Sequence, residues 1–341
     1  MKGFIHLSGE HTELARAELE GALRSLGSEL VPVHVSEQVS TLGGQVPEGL
    51  AGRMGLCHFT GILDDTVEPS RESILDSVRK ELEMLDRSST ISLKVKVSKK
   101  TTGISSAEIF NDVVSLLSSN GFKVNYRDPR QWLFIITLKE SYIGRIIEWS
   151  DRKAHRSRRG SRLPFNRPIV MHPKLARAMV NISALPEGST VLDPFLGPGG
   201  LAMEASALGH RVIGVERDPE IYHGSKVNIH HMDIADRIEV HNGDSRRIME
   251  YPWGARIKKV DGIITDPPFG RSAATMGEEP GKLLREVLGN VSDLLPVGAP
   301  LVLDSASQDI IDSIEGFRRV KIIPVRVHKS MTRHVALLLK E

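Results

Sequence analysis

From residue 171 onward, short apolar runs alternate with helical stretches, and that rhythm restricts the fold more than any other feature of the chain. Helices are expected at 173–183, from 200 to about 208, at 219–232 and at about 281–294. Strands are expected at STVLD (189–193), RVIGVE (211–216), RIEVH (237–241), VDGIITD (260–266) and APLVLDS (299–305). Each crossover helix must cover a sheet face, so this order points to an α/β fold with a mostly parallel, doubly wound sheet. Two final strands, near 320–327 and 333–339, flank HKSMTR and should form an antiparallel hairpin at the sheet edge.

The first 150 residues read differently. Residues 3–8 are expected as a strand, HTELARAELEGALRSLG (11–27) as an amphipathic helix stopped by Gly27, and 31–35 and 57–63 as strands. A helix at about 70–85 precedes ISLKVKVS (91–98), which alternates as a half-buried strand does. Ser105 and Ser106 are placed to cap a helix that ends at Asn120-Gly121, after which FKVNY and WLFIITL form strands. The expected organisation is an N-terminal segment (1–55), an α+β domain (56–150) with an exposed KKTTG loop, a basic linker (151–170) and the α/β domain (171–341).

Acidic residues stand where strands should end. In doubly wound sheets the ligand lies beyond the carboxyl ends of the strands. DPFLGPGG begins at Asp193, and Gly197, Gly199 and Gly200 permit a tight turn with close backbone approach. Glu216 lies 23 residues further on, a spacing at which an acid holds ribose hydroxyls in nucleotide-binding folds, and Asp218 is its rival. Asp244 ends the third strand and can accept from an exocyclic amine. The turn lacks both a full G-x-G-x-x-G and the Walker Lys-Ser/Thr, and the Asp193 charge would repel a pyrophosphate. A cationic nucleoside fits better. S-adenosyl-L-methionine would set its sulfonium and ammonium near Asp193, its ribose on Glu216 and its adenine near Asp244, with Pro194, Phe195 and Asp266 completing the pocket.

TDPPFG (265–270) is the fourth strand end. Pro267 holds Asp266 extended, and Pro267 and Pro268 have no N–H to donate. The result is a stiff corner of acceptors, suited to a flat ligand carrying an amino group.

DPFLGPGG, GVERD, GD and TDPPFG together resemble the Rossmann-fold methyltransferases that modify amino groups. RPIVMHPKLARAMVNIS and the opening GFIHLSGEHTELARAELEGAL resemble the archaeal tRNA guanine-10 N2-methyltransferases, over almost the whole chain. That resemblance implies a ferredoxin-like N-terminal segment, then a THUMP RNA-binding domain, before the catalytic domain. It implies tRNA as substrate, Asp266 and the Pro267 carbonyl as acceptors for the two N2–H groups of guanine, and Phe269 stacked on the base. Leu196, Pro198 and Phe269 stand where the family usually has Cys, Thr and Tyr, so a step that needs the tyrosine hydroxyl has no counterpart here. A small activator subunit is a further partner to be expected, and an amino-methyltransferase of another RNA or of DNA remains an alternative, as does an RNA-binding protein that keeps a methyltransferase shell.

Charge fits such a partner. The net charge is only +2, yet Lys94, Lys96, Lys99, Lys100, Lys123, Arg127 and Arg130 lie within 91–130, and Arg152, Arg156, Arg158, Arg159 and Arg162 crowd the linker. Basic blocks hidden in a neutral total suit a polyanion. Lys99, Lys100, Arg127, Arg130 and the linker arginines are the candidate phosphate contacts, which would set position rather than sequence. His172, His328 and His334 show no ligand spacing and read as ordinary histidines, so no metal is expected. The single Cys57 rules out an internal disulfide framework and suits a reducing cytoplasm. No apolar run approaches membrane-spanning length, so no membrane partner is expected.

Overall fold

The computed structural model describes residues 2–167, 170–268, 280–328 and 331–341. The order of elements begins β1 (Lys2–Leu7), α1 (Thr12–Ser25), β2 (Val33–His34), β3 (Val39–Leu42), α2 (Leu50–Arg53), β4 (Cys57–Val67), α3 (Arg71–Glu81) and β5 (Thr90–Lys96). It continues α4 (Lys99–Thr102), α5 (Ser106–Ser119), β6 (Lys123–Val124), β7 (Gln131–Thr137), β8 (Ser141–Trp149), α6 (Arg152–Ser157) and α7 (Pro173–Ile182). Then come β9 (Thr190–Asp193), α8 (Gly200–Ala207), β10 (Arg211–Glu216), α9 (Pro219–His231), β11 (Ile238–Asn242) and β12 (Gly262–Thr265). The last are α10 (Pro280–Val291), β13 (Pro300–Ser305), α11 (Gln308–Asp312), β14 (Phe317–His328) and β15 (Met331–Lys340).

The chain divides into two compact units, and the division does not run along a single border. The first takes 1–9, 30–52 and 57–150; the second takes 10–29, 53–56 and 151–341. Strands from the expected 1–55 segment and 56–150 domain therefore share one eight-stranded sheet, ordered β2-β3-β1-β4-β8-β7-β5-β6. Helix α1, from between two of its strands, is counted with the second unit.

In the first unit, two apolar clusters form. Ile74 and Val78 of α3 and Ile109, Val113 and Leu117 of α5 pack with Ile91, Leu133, Ile135 and Ile143 of the strands. Phe4, Phe59, Phe134 and Tyr142 form the other, with Phe4 and Phe134 stacked at 4.2 Å between ring centroids. Each such side chain taken fully out of water contributes about 1.5–3 kcal/mol. Helix α5 starts where the serines placed it: the Ser105 hydroxyl accepts from the Glu108 N–H while Glu108 reaches back to the Ser105 N–H. The KKTTG stretch differs from expectation. It is one helical turn, α4, closed by Gly103 at φ +70°.

The second unit holds the seven-stranded sheet β11-β10-β9-β12-β13-β15-β14. Strands β9 to β13 pair in parallel, while β15 enters antiparallel between β13 and β14. Order reverses beside β9, so a crevice opens at its carboxyl end. Leu192, Val215, Ile263, Leu301 and Leu303 from the strands and Leu284, Leu288 and Val291 from α10 build the core.

Helix α1 packs on α7 so closely that a Cβ on Gly21 would lie 2.1 Å from the Asn181 carbonyl oxygen. The basic linker is structured as well. Residues 152–157 form α6, and His155 and Arg158 are buried. Arg158, grouped above with the candidate RNA contacts, is corrected by its surroundings: its Nε lies 2.6 Å from Glu204 and it is 9% exposed. A guanidinium consumed by a buried carboxylate is not available to a phosphate. Arg152, Arg156, Arg159 and Arg162 are exposed, as are Lys99, Arg127 and Arg130 of the first unit.

Candidate active site at the carboxyl ends of the parallel strands

Strand β9 delivers Asp193 to the centre of the crevice with 1% of its surface exposed. Its Oδ1 accepts from the Phe195 N–H (3.1 Å) and the Thr265 hydroxyl (2.8 Å). Its Oδ2 is buried and has no hydrogen-bond partner among the described residues. Burial raises this carboxyl to about 7, against the pull of the Thr265 hydroxyl and the Phe195 N–H. A buried acceptor left open is costly, on the order of 1–3 kcal/mol, and a ligand donor in the crevice would satisfy it.

The turn that follows needs its glycines: Gly197 and Gly199 adopt φ of +54° and +92°, and α8 starts at Gly200. The Gly197 N–H donates to Glu216 Oε2 (3.0 Å), and the Asp218 N–H donates to Glu216 Oε1 (2.8 Å). Glu216 is thereby locked against the glycine turn, and burial raises its carboxyl. Asp218 does different work. Its Oδ1 accepts from the Glu220 and Ile221 N–H groups and caps α9. Of the two rivals, Glu216 faces the turn. Asp244 is gripped by Arg246 at 2.6 Å, whose hydrogen bonds hold its carboxyl below the usual range. The Asp244 N–H donates to the Tyr251 hydroxyl (3.0 Å), and Tyr251 stacks on Trp253. Pro194 accepts from the Ser245 hydroxyl, and Phe195 packs on the sheet core.

Asp266 follows the end of β12 directly. Its Oδ1 is buried without a hydrogen-bond partner among the described residues, and its Oδ2 lies 3.5 Å from Nη1 of Arg333. The same Nη1 is 2.7 Å from Oδ2 of Asp304, which is fully buried at the end of β13. Burial, reinforced by the Asp304 charge and opposed by Arg333, raises the Asp266 carboxyl well above the carboxylate range. Pro267 and Pro268 extend the corner. Phe269, assigned the stacking role above, lies outside the described residues, as do Gly270 and Ser330. Lys100 stands in α4.

The structure thus brings Asp193, Glu216, Asp244 and Asp266 to adjoining strand ends of one sheet, with the glycine turn between them. Sequence reasoning missed Thr265, which orients Asp193, and Asp304. The criterion that found Asp193 applies equally to Asp304 in APLVLDS, since both are acids at the carboxyl end of an apolar strand. Among the described residues, no group of three His, Cys, Asp or Glu side chains is arranged to hold a metal.

A parallel sheet with this reversal, an acid-led glycine turn and an acidic second strand end defines the Rossmann-fold methyltransferase class. The family model described as "UPF0020: RMKL-like, methyltransferase domain" matches residues 159–335. The tRNA (guanine(10)-N2)-dimethyltransferase of Methanothermobacter thermautotrophicus is 30% identical over 351 residues, covering 99% of each chain. The enzyme of the same name from Pyrococcus abyssi is 28% identical, covering 98% of each. The chain belongs to this family of archaeal-type tRNA (guanine(10)-N2)-methyltransferases with an RMKL-like methyltransferase domain. Among solved structures, TrmN from Thermus thermophilus aligns over 100% of both chains with a TM-score of 0.61 at 18% identity, a likeness of fold.

Proposed function

We propose that this enzyme methylates the exocyclic N2 of guanosine 10 in tRNA, adding one or two methyl groups, with S-adenosyl-L-methionine as donor. The observation that carries the reading is the set of buried carboxylate oxygens without a hydrogen-bond partner among the described residues, Asp193 Oδ2, Asp266 Oδ1 and Asp304 Oδ1, at neighbouring strand ends, the first two beside the glycine turn and the proline corner. These ask for donors or cations, and a pocket lined by acids fits a sulfonium nucleoside with an ammonium group better than it fits any phosphate. Asp193, Pro194, Phe195, Gly197, Gly199, Gly200 and Glu216 would hold that nucleoside, with Glu216 at the ribose. Asp218 would contribute through the α9 cap it forms. Asp244 is the acceptor nearest in type for the adenine amine, shared with Arg246.

The donor, when bound, supplies an electrophilic methyl carbon. The chain's own residues do the rest. The lone pair of guanine N2 is delocalised into the ring, so N2 is a weak nucleophile until its N–H groups are engaged. Asp266 Oδ1 and the Pro267 carbonyl accept those N–H groups, and Phe269 fixes the plane of the base; orientation of this kind is where most of the rate comes from. The base leaves its helix to reach the corner, at a cost of a few kcal/mol. After transfer the amine nitrogen sheds a proton, and the raised proton affinity of Asp266 suits it to take that proton.

The first unit is read as a ferredoxin-like and THUMP region holding tRNA phosphates through Lys99, Lys100, Arg127 and Arg130, with Arg152, Arg156, Arg159 and Arg162 acting likewise from the other unit. Among the described residues no helix is long and apolar enough to cross a membrane. A cytoplasmic enzyme, with a small activator subunit as a further partner, fits that reading. Mass spectrometry of nucleosides from unmodified tRNA, incubated with enzyme and donor, tests it. N2-methylguanosine and N2,N2-dimethylguanosine at position 10 are expected; methylated adenosine alone, or no methylated nucleoside, would overturn it.

A further inference from the structure

Between Asp266 and Asp304 stands a cation that the reaction as described above does not use. Arg333 enters from β15, the antiparallel strand beside β13, and the same Nη1 reaches Asp304 at 2.7 Å and Asp266 at 3.5 Å. The shorter contact is a charge-assisted hydrogen bond; the longer one is an ionic contact that leaves the Asp266 oxygens able to accept elsewhere. We propose that Arg333 is a positioning residue for methyl transfer: anchored by Asp304, it sets a countercharge beside Asp266 and leaves its Oδ1 turned to the incoming amine. The proposal rests on the N2-methylation reading given above.

The argument is one of charge and geometry. Three groups face Asp266 from the packed strand ends: the carboxylates of Asp193 and Asp304, and the guanidinium of Arg333. Two like charges and burial all favour the protonated acid, which would donate to the amine rather than accept from it. Arg333 alone opposes them among these groups. A lone arginine would be free to form a closed two-oxygen pair with Asp266 and would block both acceptors. Asp304 prevents this by taking the nearer contact, so Arg333 acts at a distance that neutralises without occupying. Asp304 is fully buried and Arg333 is part-buried, so solvent screens their effect on Asp266 only weakly.

The test compares pH profiles of kcat/KM, with the donor varied, for the wild type, R333M, R333K and D304N. That ratio reports groups in the enzyme before the donor binds. The wild type should lose activity as pH falls and Asp266 takes a proton. In R333M the acid limb should move up by about one unit or more, the size expected for removing an arginine beside a carboxylate, with about a tenfold loss below the limb. R333K should restore part of the shift. D304N removes a like charge and keeps an amide oxygen for the guanidinium, so its limb should move down. Opposite shifts are the signature that a merely structural role would not produce. A loss equal at every pH in R333M, or limbs that move the same way in R333M and D304N, overturns the proposal. In calorimetry of S-adenosylmethionine binding without nucleic acid, Asp193 is common to wild type and R333M, so the difference between their pH profiles follows Asp266. A wild type that makes no N2-methylguanosine therefore sinks the guanine reading, while the calorimetric shifts still decide the role of Arg333.

Discussion

The second unit buries two clusters of charge, and they are built on opposite principles. In one, Glu204 on α8 receives Arg158 Nε and Arg177 Nε at 2.6 Å each, one on each carboxylate oxygen. Beside it Glu18 of α1 accepts from the Gly55 N–H (2.7 Å), the Leu56 N–H (2.8 Å) and the Asn181 amide (2.9 Å). Every carboxylate oxygen there is satisfied. In the other cluster, Asp193, Asp266 and Asp304 each keep one buried oxygen without a partner among the described residues. A closed set of charges joins elements; an open set waits for a ligand. The difference lies in unfilled carboxylate oxygens, not in the amount of buried charge.

That contrast can be broken or sharpened by substitution. Glu204→Ala leaves two buried guanidinium groups without their carboxylate and should cost about 3–5 kcal/mol, read as a large fall in Tm, while the folded fraction keeps its affinity for S-adenosylmethionine. Lost activity at unchanged Tm would erase the distinction. Asp266→Ala should do the reverse: methyl transfer drops by about 10²–10³-fold, the loss seen when one group stabilising a transition state is removed, with Tm held or raised. Full activity in that variant would remove Asp266 from the chemistry.

Smaller effects probe the closed cluster's surroundings. His210 is fully buried, and burial, helped by Arg53 and Arg177, lowers it from 6.5 to about 4. Its folded pKa lies below its unfolded one, so its contribution is present above pH 6.5 and is lost as pH falls toward 4. The whole shift amounts to about 3 kcal/mol, and His210→Leu should flatten the urea-derived stability profile across that window. A slope unchanged by the substitution would assign the acid sensitivity to other groups. Gly21→Ala places a methyl against the Asn181 carbonyl and should cost about 1–3 kcal/mol by urea unfolding, again without changing donor affinity.

The open cluster was largely legible in the sequence, because its parts are local. Asp193 and Asp266 each end an apolar run directly before a proline, and Glu216 ends the strand that follows the glycine turn, so strand, turn and ligand-facing acid are read from short windows. Asp304 met the same criterion but lacked a glycine or proline beside it. The closed cluster was illegible for the opposite reason. Arg158 reads as one more cation in a basic run until Glu204, on a helix 46 residues away, is brought against it. Leu26 reads as part of the apolar face of α1, yet it caps the end of that helix and is 39% exposed. The parallel sheet was legible from its rhythm; the border between the units was not, since a helix gives no local sign of which sheet it will serve.

Helix α1 carries a practical consequence for anyone who would transplant the catalytic half. A fragment cut at residue 150 would be missing the carboxylate that engages Asn181 and the small-residue notch that seats α7, although neither lies near that cut in the chain. The module is not a cassette with two ends but a patchwork sewn from three stretches of polypeptide, and a graft that respects only the longest stretch inherits an uncovered seam.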